Sequence, residues 1–423
     1  MRVFKFGGAS VKNADAVRNV ASILSKQANE ALLVVISAMG KTTNLLEKLA
    51  DAYYHNLDSK KEIYQQVRKF HNEITDELID NVNDYYEVDN LLIELECLIE
   101  KKRDKELSFD EVYDNIVPFG ELLSTKIVNT YLNKIGYHSR WIDARNFIIT
   151  TDKNRAAKVV WEETTPLIQS SLKPLTKRQT IITQGFVGRS SRHRNTTLGR
   201  EGSDYTAAIF AYALDAESVT IWKDVDGIMN GDPKRFKDAV LIPRLTFNEA
   251  IELAYFGASV IHPKTIQPLK NKRIPLYVKS FTDADKPGTE VVESADQTLN
   301  ETQCYIVKDN QTLVTISSKD FSFIVEDNLE LIFGALNQVG IQLNLMQNSA
   351  ISFMACFNSN EAKAKELQDL LGNKFTVKLE EDYTLLTVFN YKPEKSKLED
   401  LVGDKTIALE QKSRSALQLV IAN

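Results

Sequence analysis

RVFKFGGASVKN, residues 2–13, sets an apolar strand (Val3, Phe4, Phe6) around a central lysine and ends it on two adjacent glycines. A lysine in a buried strand costs solvation energy unless it meets an anion. Paired glycines let a backbone turn tightly and come close to a ligand. Together they point to a phosphate held between backbone N–H groups and one ammonium. An ordinary Gly-Gly turn, with the lysine snorkelling out of the strand end, fits the same residues. The segments downstream of residue 13 therefore decide the fold.

DAVRNVASILSKQ (15–27) places Val17, Val20, Ala21 and Leu24 on one helical face. ALLVVISAMG (31–40) is an apolar run bounded by glycine, as expected of a buried parallel strand. Residues 44–107 are helical in pattern, and ELLSTKIVNTYLNKIG (121–136) is an amphipathic helix stopped at Gly136. SRWID, TIITQGFVG, ESVTIWKDV and IPLYVKS add apolar runs, each beside a helix-like stretch. This alternation predicts an α/β fold over residues 1–290, a three-layer αβα sandwich on a mostly parallel sheet.

Near residue 290 the pattern changes. From QTLVTISS (311–318) to FTVKLEE (375–381) the order reads strand, helix, strand, strand, helix, strand, a ferredoxin-like βαββαβ unit at about 311–381. A second, abbreviated unit is expected from 301–310 plus 382–423, with PEKSKLEDLVG as its helical segment, so that 300–423 form a tandem.

The 423 residues are enough for two or three domains, and 43% are hydrophobic. A net charge of −6 argues against a nucleic-acid partner; the one basic cluster, SRHRN (191–195), is short. Cys97, Cys304 and Cys356 form no CxxC pair, so neither a disulfide framework nor a zinc site is implied. No signal-like segment opens the chain and no apolar run reaches the roughly 18–20 residues that span a bilayer. A cytoplasmic protein without a membrane partner is expected.

TLGREGSDYTAAIFAYAL (197–214) is a glycine-containing polar loop running into a helix that Ser203 or Asp204 can cap. Such a helix start suits an anion, and Arg200 adds a planar fork for a carboxylate. A capped helix with a solvated arginine reads equally well from these residues alone. WKDVDGIMNGDPKRF (222–236) leaves a strand at its C-terminal end, where open α/β sheets bind ligands. VVISAMGKTT offers Ser37, Thr42 and Thr43 at another strand exit; ITQGFVG offers Gln184, Gly185 and Phe186. Glu121 opens the helix of PFGELLSTK, a position that acids also favour for dipole reasons. Polar or glycine-rich loops at so many strand exits are a rarer combination than any one of them. No Walker, HRD, DFG or GxSxG signature occurs, and the five histidines form no metal-spaced set. His262, before Pro263, reads as a helix start.

In this order KFGGAS, ITQGFVG, LGREGSDYTAA, WKDVDGIMNGDPK, FGASVIHPKT and PGTEV resemble aspartate kinase of the amino-acid-kinase superfamily, whose chains end in paired ACT domains. The resemblance covers essentially the whole chain and leaves no room for an appended homoserine dehydrogenase, so a monofunctional enzyme is expected. It implies transfer of the ATP γ-phosphoryl group, with Mg²⁺, to the side-chain carboxylate of L-aspartate. It places Lys5, Gly7, Gly8 and Ser10 on the phosphates. Ser37, Thr43, Glu121, Phe186, Arg200 and Ser203 would hold the aspartate, Arg200 on its α-carboxylate and Glu121 near its ammonium. Asp204 would orient Lys5, while Lys223, Asp224, Met229, Lys234 and Ser259 would meet the nucleotide. No protein metal site is implied, because the metal rides on ATP phosphates and water. The ACT pair implies a lysine or threonine effector near Asn344 and Ser349, and a homodimer. Asn344 stands where lysine-inhibited relatives carry aspartate. Ala9, Glu201, Met229 and Ser259 also depart from the family pattern, which keeps a second reading open: a catalytically weak amino-acid sensor on a degenerate kinase fold.

Overall fold

The computed structural model describes residues 1–27, 30–79, 82–176, 178–258, 261–294, 302–320, 322–394 and 402–423. Its elements run β1 (Arg2–Phe6), α1 (Ala14–Ser25), β2 (Leu32–Ile36), α2 (Thr42–Tyr54), α3 (Ser59–Leu78), α4 (Val82–Glu100), α5 (Phe109–Ile116), α6 (Phe119–Lys134), β3 (Ser139–Ile142), β4 (Ile149–Thr150) and α7 (Trp161–Thr176). Then come β5 (Thr180–Gln184), β6 (Val187–Ser190), β7 (Asn195–Thr197), α8 (Gly202–Leu214), β8 (Ser218–Lys223), β9 (Arg244–Thr246), α9 (Phe247–Phe256), α10 (Pro263–Lys272), β10 (Leu276–Ser280) and β11 (Thr289–Val292). The last third holds β12 (Cys304–Ser318), α11 (Glu326–Val339), β13 (Leu343–Asn348), β14 (Ser352–Asn358), α12 (Glu361–Leu371), β15 (Phe375–Phe389), β16 (Ile407–Lys412) and β17 (Ala416–Ala422).

The chain divides into two units. Residues 1–228, 241–251 and 260–296 form the first, and 229–240, 252–259 and 297–423 the second. An eight-stranded sheet, ordered β3-β5-β2-β1-β8-β10-β11-β9, centres the first unit. Only the β10–β11 pairing is antiparallel. Strand alternation sends Phe4 and Phe6 to one face of β1, where Phe6 stacks on Trp222 with ring centroids 5.8 Å apart. That face joins the large core made with α1, α2, α3 and α6. Lys5 takes the other face, where α8 packs on β1, β2 and β8. The small side chains Ala207, Ala208 and Ala211, all fully buried, let α8 lie close to the sheet.

The helical stretch after β2 is an annex to the core: α2 packs on α3 and α5, and α4 on α6. Ser108 and Glu111 form a reciprocal capping box that starts α5 sharply. Among the described residues no helix is long and apolar enough to cross a membrane.

In the second unit the order β12-α11-β13-β14-α12-β15 is the expected ferredoxin-like βαββαβ of an ACT domain. Its sheet continues without a break, as β13-β14-β12-β15-β17-β16. Segments 303–308 and 311–318 read as separate strands in the sequence, as do 375–381 and 383–391. In the structure each pair merges into one 15-residue strand, β12 and β15. The chain passes through Asn310 (φ 52°) and Asp382 (φ 65°) in the left-handed conformation that these two residue types tolerate. Most of the helical segment expected at 393–403 lies outside the described residues.

Candidate active site

The parallel strands β5, β2, β1 and β8 are neighbours, so their C-terminal ends open side by side. The loops leaving them surround a cavity of about 550 Å³ within the first unit. Of the residues singled out in the sequence, Lys5, Ser37, Thr43, Glu121, Phe186, Arg200, Ser203, Asp204 and Lys223 all line it.

Lys5, 8% exposed, sits 2.6 Å from Asp204 Oδ1, and Lys223 Nζ is 3.8 Å from Oδ2 of the same carboxylate. One acid therefore holds two ammonium groups at the exits of adjacent strands. Gly7 begins the short 3₁₀ turn after β1, and a Cβ there would lie 3.5 Å from Lys5 Nζ. Ser10 is buried with its hydroxyl unpaired. Gly8 is the tight point: its carbonyl accepts from Gly40 N at 3.0 Å. A Cβ there would fall 2.8 Å from Ala38 O and 2.9 Å from Gly40 O. Gly8→Ala must push the β1 exit away from the β2 exit, and we expect phosphoryl transfer to fall by about tenfold or more. Steady-state kinetics beside a melting curve will separate this from a folding defect.

Glu121 also lines the cavity, 3% exposed on the first turn of α6. Its Oε1 accepts from Ala38 N at 3.2 Å, while Oε2 is buried without any partner. Burial raises its pKa to about 8, against the lowering effects of backbone N–H groups and Lys5. A buried carboxylate oxygen is costly unless a donor meets it. Ser124 Oγ donates to Ser37 O at 2.8 Å and fixes that exit. Phe186 holds a left-handed φ of 71°, its N–H donating to Thr206 Oγ1 at 2.9 Å. At Gly185 a Cβ would lie 2.4 Å from Ser203 Oγ, so glycine is what lets the start of α8 lie against the turn after β5.

The helix cap differs from the expectation. Neither Ser203 nor Asp204 caps α8; the N-cap is Glu201, in left-handed geometry (φ 54°) and with no side-chain cap bond. Ser203 and Asp204 lie in the first turn instead and face the cavity. Glu201 also lines the cavity, its Oε2 buried without a partner. Gln184 proves structural: its amide donates to Thr125 Oγ1 and its oxygen accepts from Ala144 N, both at 2.8 Å. His262 starts α10 as expected, accepting from Lys264 N at 3.1 Å.

Known proteins resemble this chain over most of its length. The amino acid kinase family model matches residues 1–280. Lysine-sensitive aspartokinase 3 of Escherichia coli (strain K12) is 34% identical over 367 residues, 83% of this chain and 76% of that protein. Chloroplastic aspartokinase 2 of Arabidopsis thaliana is 33% identical over 383 residues, 86% of this chain. The chain belongs to the amino acid kinase family, among its aspartokinases. It spans 68% and 64% of the length of Arabidopsis aspartokinases 2 and 1. Among solved structures, E. coli aspartokinase III in complex with aspartate and ADP superposes with a TM-score of 0.82 at 30% identity, covering 100% of this chain and 96% of that one.

Three residues lining the cavity of this aspartokinase escaped the sequence reading: Glu47 of α2, Tyr113 of α5 and Arg155 of the loop after β4. Other expected residues are not in this cavity. Asp224 is exposed on the loop just after β8. Met229, half-buried, and Lys234, exposed, belong to the second unit. Ser259 lies outside the described residues. In the second unit, Asn344 Nδ2 donates to Gln311 Oε1 (2.7 Å) and Asn358 Oδ1 (2.9 Å), while its Oδ1 accepts from Lys308 Nζ (2.8 Å). Ser349 pairs with Ser352 Oγ at 2.7 Å.

Proposed function

We propose that this aspartokinase transfers the γ-phosphoryl group of ATP to the side-chain carboxylate of L-aspartate, giving 4-phospho-L-aspartate and ADP. The observation that carries the reading is a buried Glu121 carboxyl, its Oε2 without a partner, in one cavity with Arg200 and the Lys5–Asp204–Lys223 cluster. These groups match the acceptor's ammonium, its α-carboxylate and the transferring phosphoryl group in turn. The nucleophile is itself a carboxylate with an ordinary pKa near 4, so no general base is needed at neutral pH. Catalysis is then positioning plus electrostatic stabilisation. Asp204 holds Lys5 toward the β1 exit, Gly7, Gly8 and Ser10 cradle phosphate oxygens, and Ser37, Thr43, Phe186 and Ser203 close around the acceptor. Asp224, Met229, Lys234 and Ser259 are the further nucleotide contacts of this reading.

Mg²⁺ enters as part of the ATP substrate complex. The described residues include no group of three or more His, Cys, Asp or Glu that could hold a metal, and Asp204 already faces two ammonium groups. In this reading the nucleotide's phosphates and water are its ligands, and it neutralises phosphate charge.

Residues 1–290 are the catalytic domain in this reading, and 300–423 an ACT pair that joins two chains and senses lysine or threonine. The polar atoms of Asn344 are taken by Lys308, Gln311 and Asn358, and an amide attracts an effector ammonium less than a carboxylate would. Cys97, Cys304 and Cys356 form no disulfide with one another, in keeping with the reducing cytoplasm of this reading.

The test is ADP release from Mg-ATP with L-aspartate, the acyl phosphate being trapped by hydroxylamine, with lysine and threonine added in turn and the chain sized by light scattering. Aspartate-dependent hydroxamate is expected. Heat stabilisation by lysine or threonine without turnover would support the sensor instead.

A further inference from the structure

The cavity presents four cationic side chains, Lys5, Lys223, Arg200 and Arg155. The first two are committed to Asp204. Among the described residues Arg200 makes no hydrogen bond or ion pair. Arg155 makes one ion pair, 3.4 Å to Asp110, with both side chains about half exposed (46% and 53%). A contact that long and that wet holds a guanidinium loosely. We infer that Arg155 is a specificity-determining residue for the acceptor, gripping the α-carboxylate of the amino-acid substrate together with Arg200. The inference rests on the aspartate-phosphorylating reading above and names a group which that reading leaves unused.

The scaffold under Arg155 is far more rigid than its tip. Its backbone is left-handed (φ 60°), a conformation that needs outside support in a non-glycine residue. That support is Asp114, fully buried on α5, which accepts from Arg155 N (3.1 Å), Asn154 Nδ2 (2.8 Å) and Thr197 Oγ1 (2.7 Å). Thr197 belongs to the strand that leads into the Arg200 loop, so one carboxyl ties the two arginine-bearing loops to a single helix. The loops also touch: a Cβ at Gly199 would lie 3.1 Å from Arg155 O. Above this anchor the guanidinium lies over the Tyr113 ring, 4.5 Å from its centroid, and the Tyr113 hydroxyl donates to Glu47 Oε1 at 2.9 Å. A stacked, weakly paired guanidinium keeps its fork free for a planar anion.

An acceptor with two carboxylates explains the pair. One carboxylate must approach Lys5 to be phosphorylated, and the other needs cations of its own. Arg155 enters the cavity lining from a loop tied to α5 through Asp114, whereas Lys5 and Lys223 come from β1 and β8.

Steady-state kinetics of the full-length chain test this. Arg155→Ala is expected to raise the KM for aspartate roughly 10- to 100-fold, the worth of a lost charge-assisted contact, with kcat within about threefold and the KM for ATP within about twofold. Arg155→Lys should recover only part, because an ammonium lacks the fork and stacks less well. Tyr113→Leu, which removes the ring and keeps the guanidinium, should give an intermediate rise. Melting temperatures and Arg155→Gln guard against a folding defect in the alanine variant. A KM for aspartate within twofold of wild type in both Arg155→Ala and Arg155→Gln, or a rise confined to the KM for ATP, overturns the inference and leaves the kinase reading standing. Absence of aspartate turnover by the wild type overturns the kinase reading, and this inference with it.

Discussion

Lys5→Met is expected to lower kcat by about a thousandfold or more while leaving the KM for aspartate nearly unchanged. Lys5 is the cation nearest the Gly7–Gly8 turn, and its ammonium serves charge that moves only during transfer. A group that acts on the transition state changes kcat, whereas one that binds the ground state changes KM. Folding is the complication. Lys5 and Asp204 are buried partners, and orphaning one member of such a pair typically costs about 3–5 kcal/mol. Here Lys223 stays 3.8 Å from the abandoned carboxylate, so the cost should fall below that range. The double variant Lys5→Met/Asp204→Asn removes the stranded charge and should recover most of the lost melting temperature without recovering activity. Hydroxamate formation and thermal melts on the three proteins decide the matter. Lys5→Met with kcat within tenfold of wild type would assign the phosphoryl charge to another group, Lys223 first.

What the sequence discloses and what it hides divide along physical lines. The strand exits are local: an apolar run, then glycine or a small polar residue, is visible in a window of ten residues. Their parallel order places the exits together without further information, which is why Lys5, Ser37, Phe186 and Lys223 meet. Glu47, Tyr113 and Arg155 had no such signal. Each looks like part of a solvated helix face or loop, and each reaches the cavity only through contacts between distant segments, as when Asp114 binds Arg155 41 residues away and Thr197 83 residues away. The cap of α8 is hidden from the sequence for the same reason. Ser203 and Asp204 are good capping types, but Lys5 competes for Asp204 and the Gly185 contact places Ser203, leaving Glu201 to take the strained position. The long β12 and β15 were hidden by Asn310 and Asp382, residues that mark turns far more often than kinks within a strand.

Aspartate affinity is expected to rise with pH, and Glu121 is the reason. In the free protein its carboxyl is pushed up to about 8 by burial, so at pH 7 only roughly a tenth of molecules carry the anion. An acceptor ammonium against the unpaired Oε2 favours the ionised form and lowers that pKa in the complex. Binding therefore releases a proton. The KM for aspartate should fall nearly tenfold for each unit from about pH 6 to 7 and level off above about pH 8. Glu121→Gln keeps the shape and the Ala38 contact but cannot ionise. It should raise the KM at pH 8 by roughly 100-fold and flatten the profile. A melting experiment without aspartate gives an independent sign. The folded-state pKa lies above the ordinary 4.5, so the stabilising neutral carboxyl is fully present below about 4.5 and is lost as pH rises through about 8. Glu121→Gln should accordingly gain melting temperature over wild type as pH rises from 5 to 9, while losing affinity for aspartate. A Glu121→Gln enzyme that keeps the wild-type slope of KM with pH would move the titration to another group and remove Glu121 from the ammonium site.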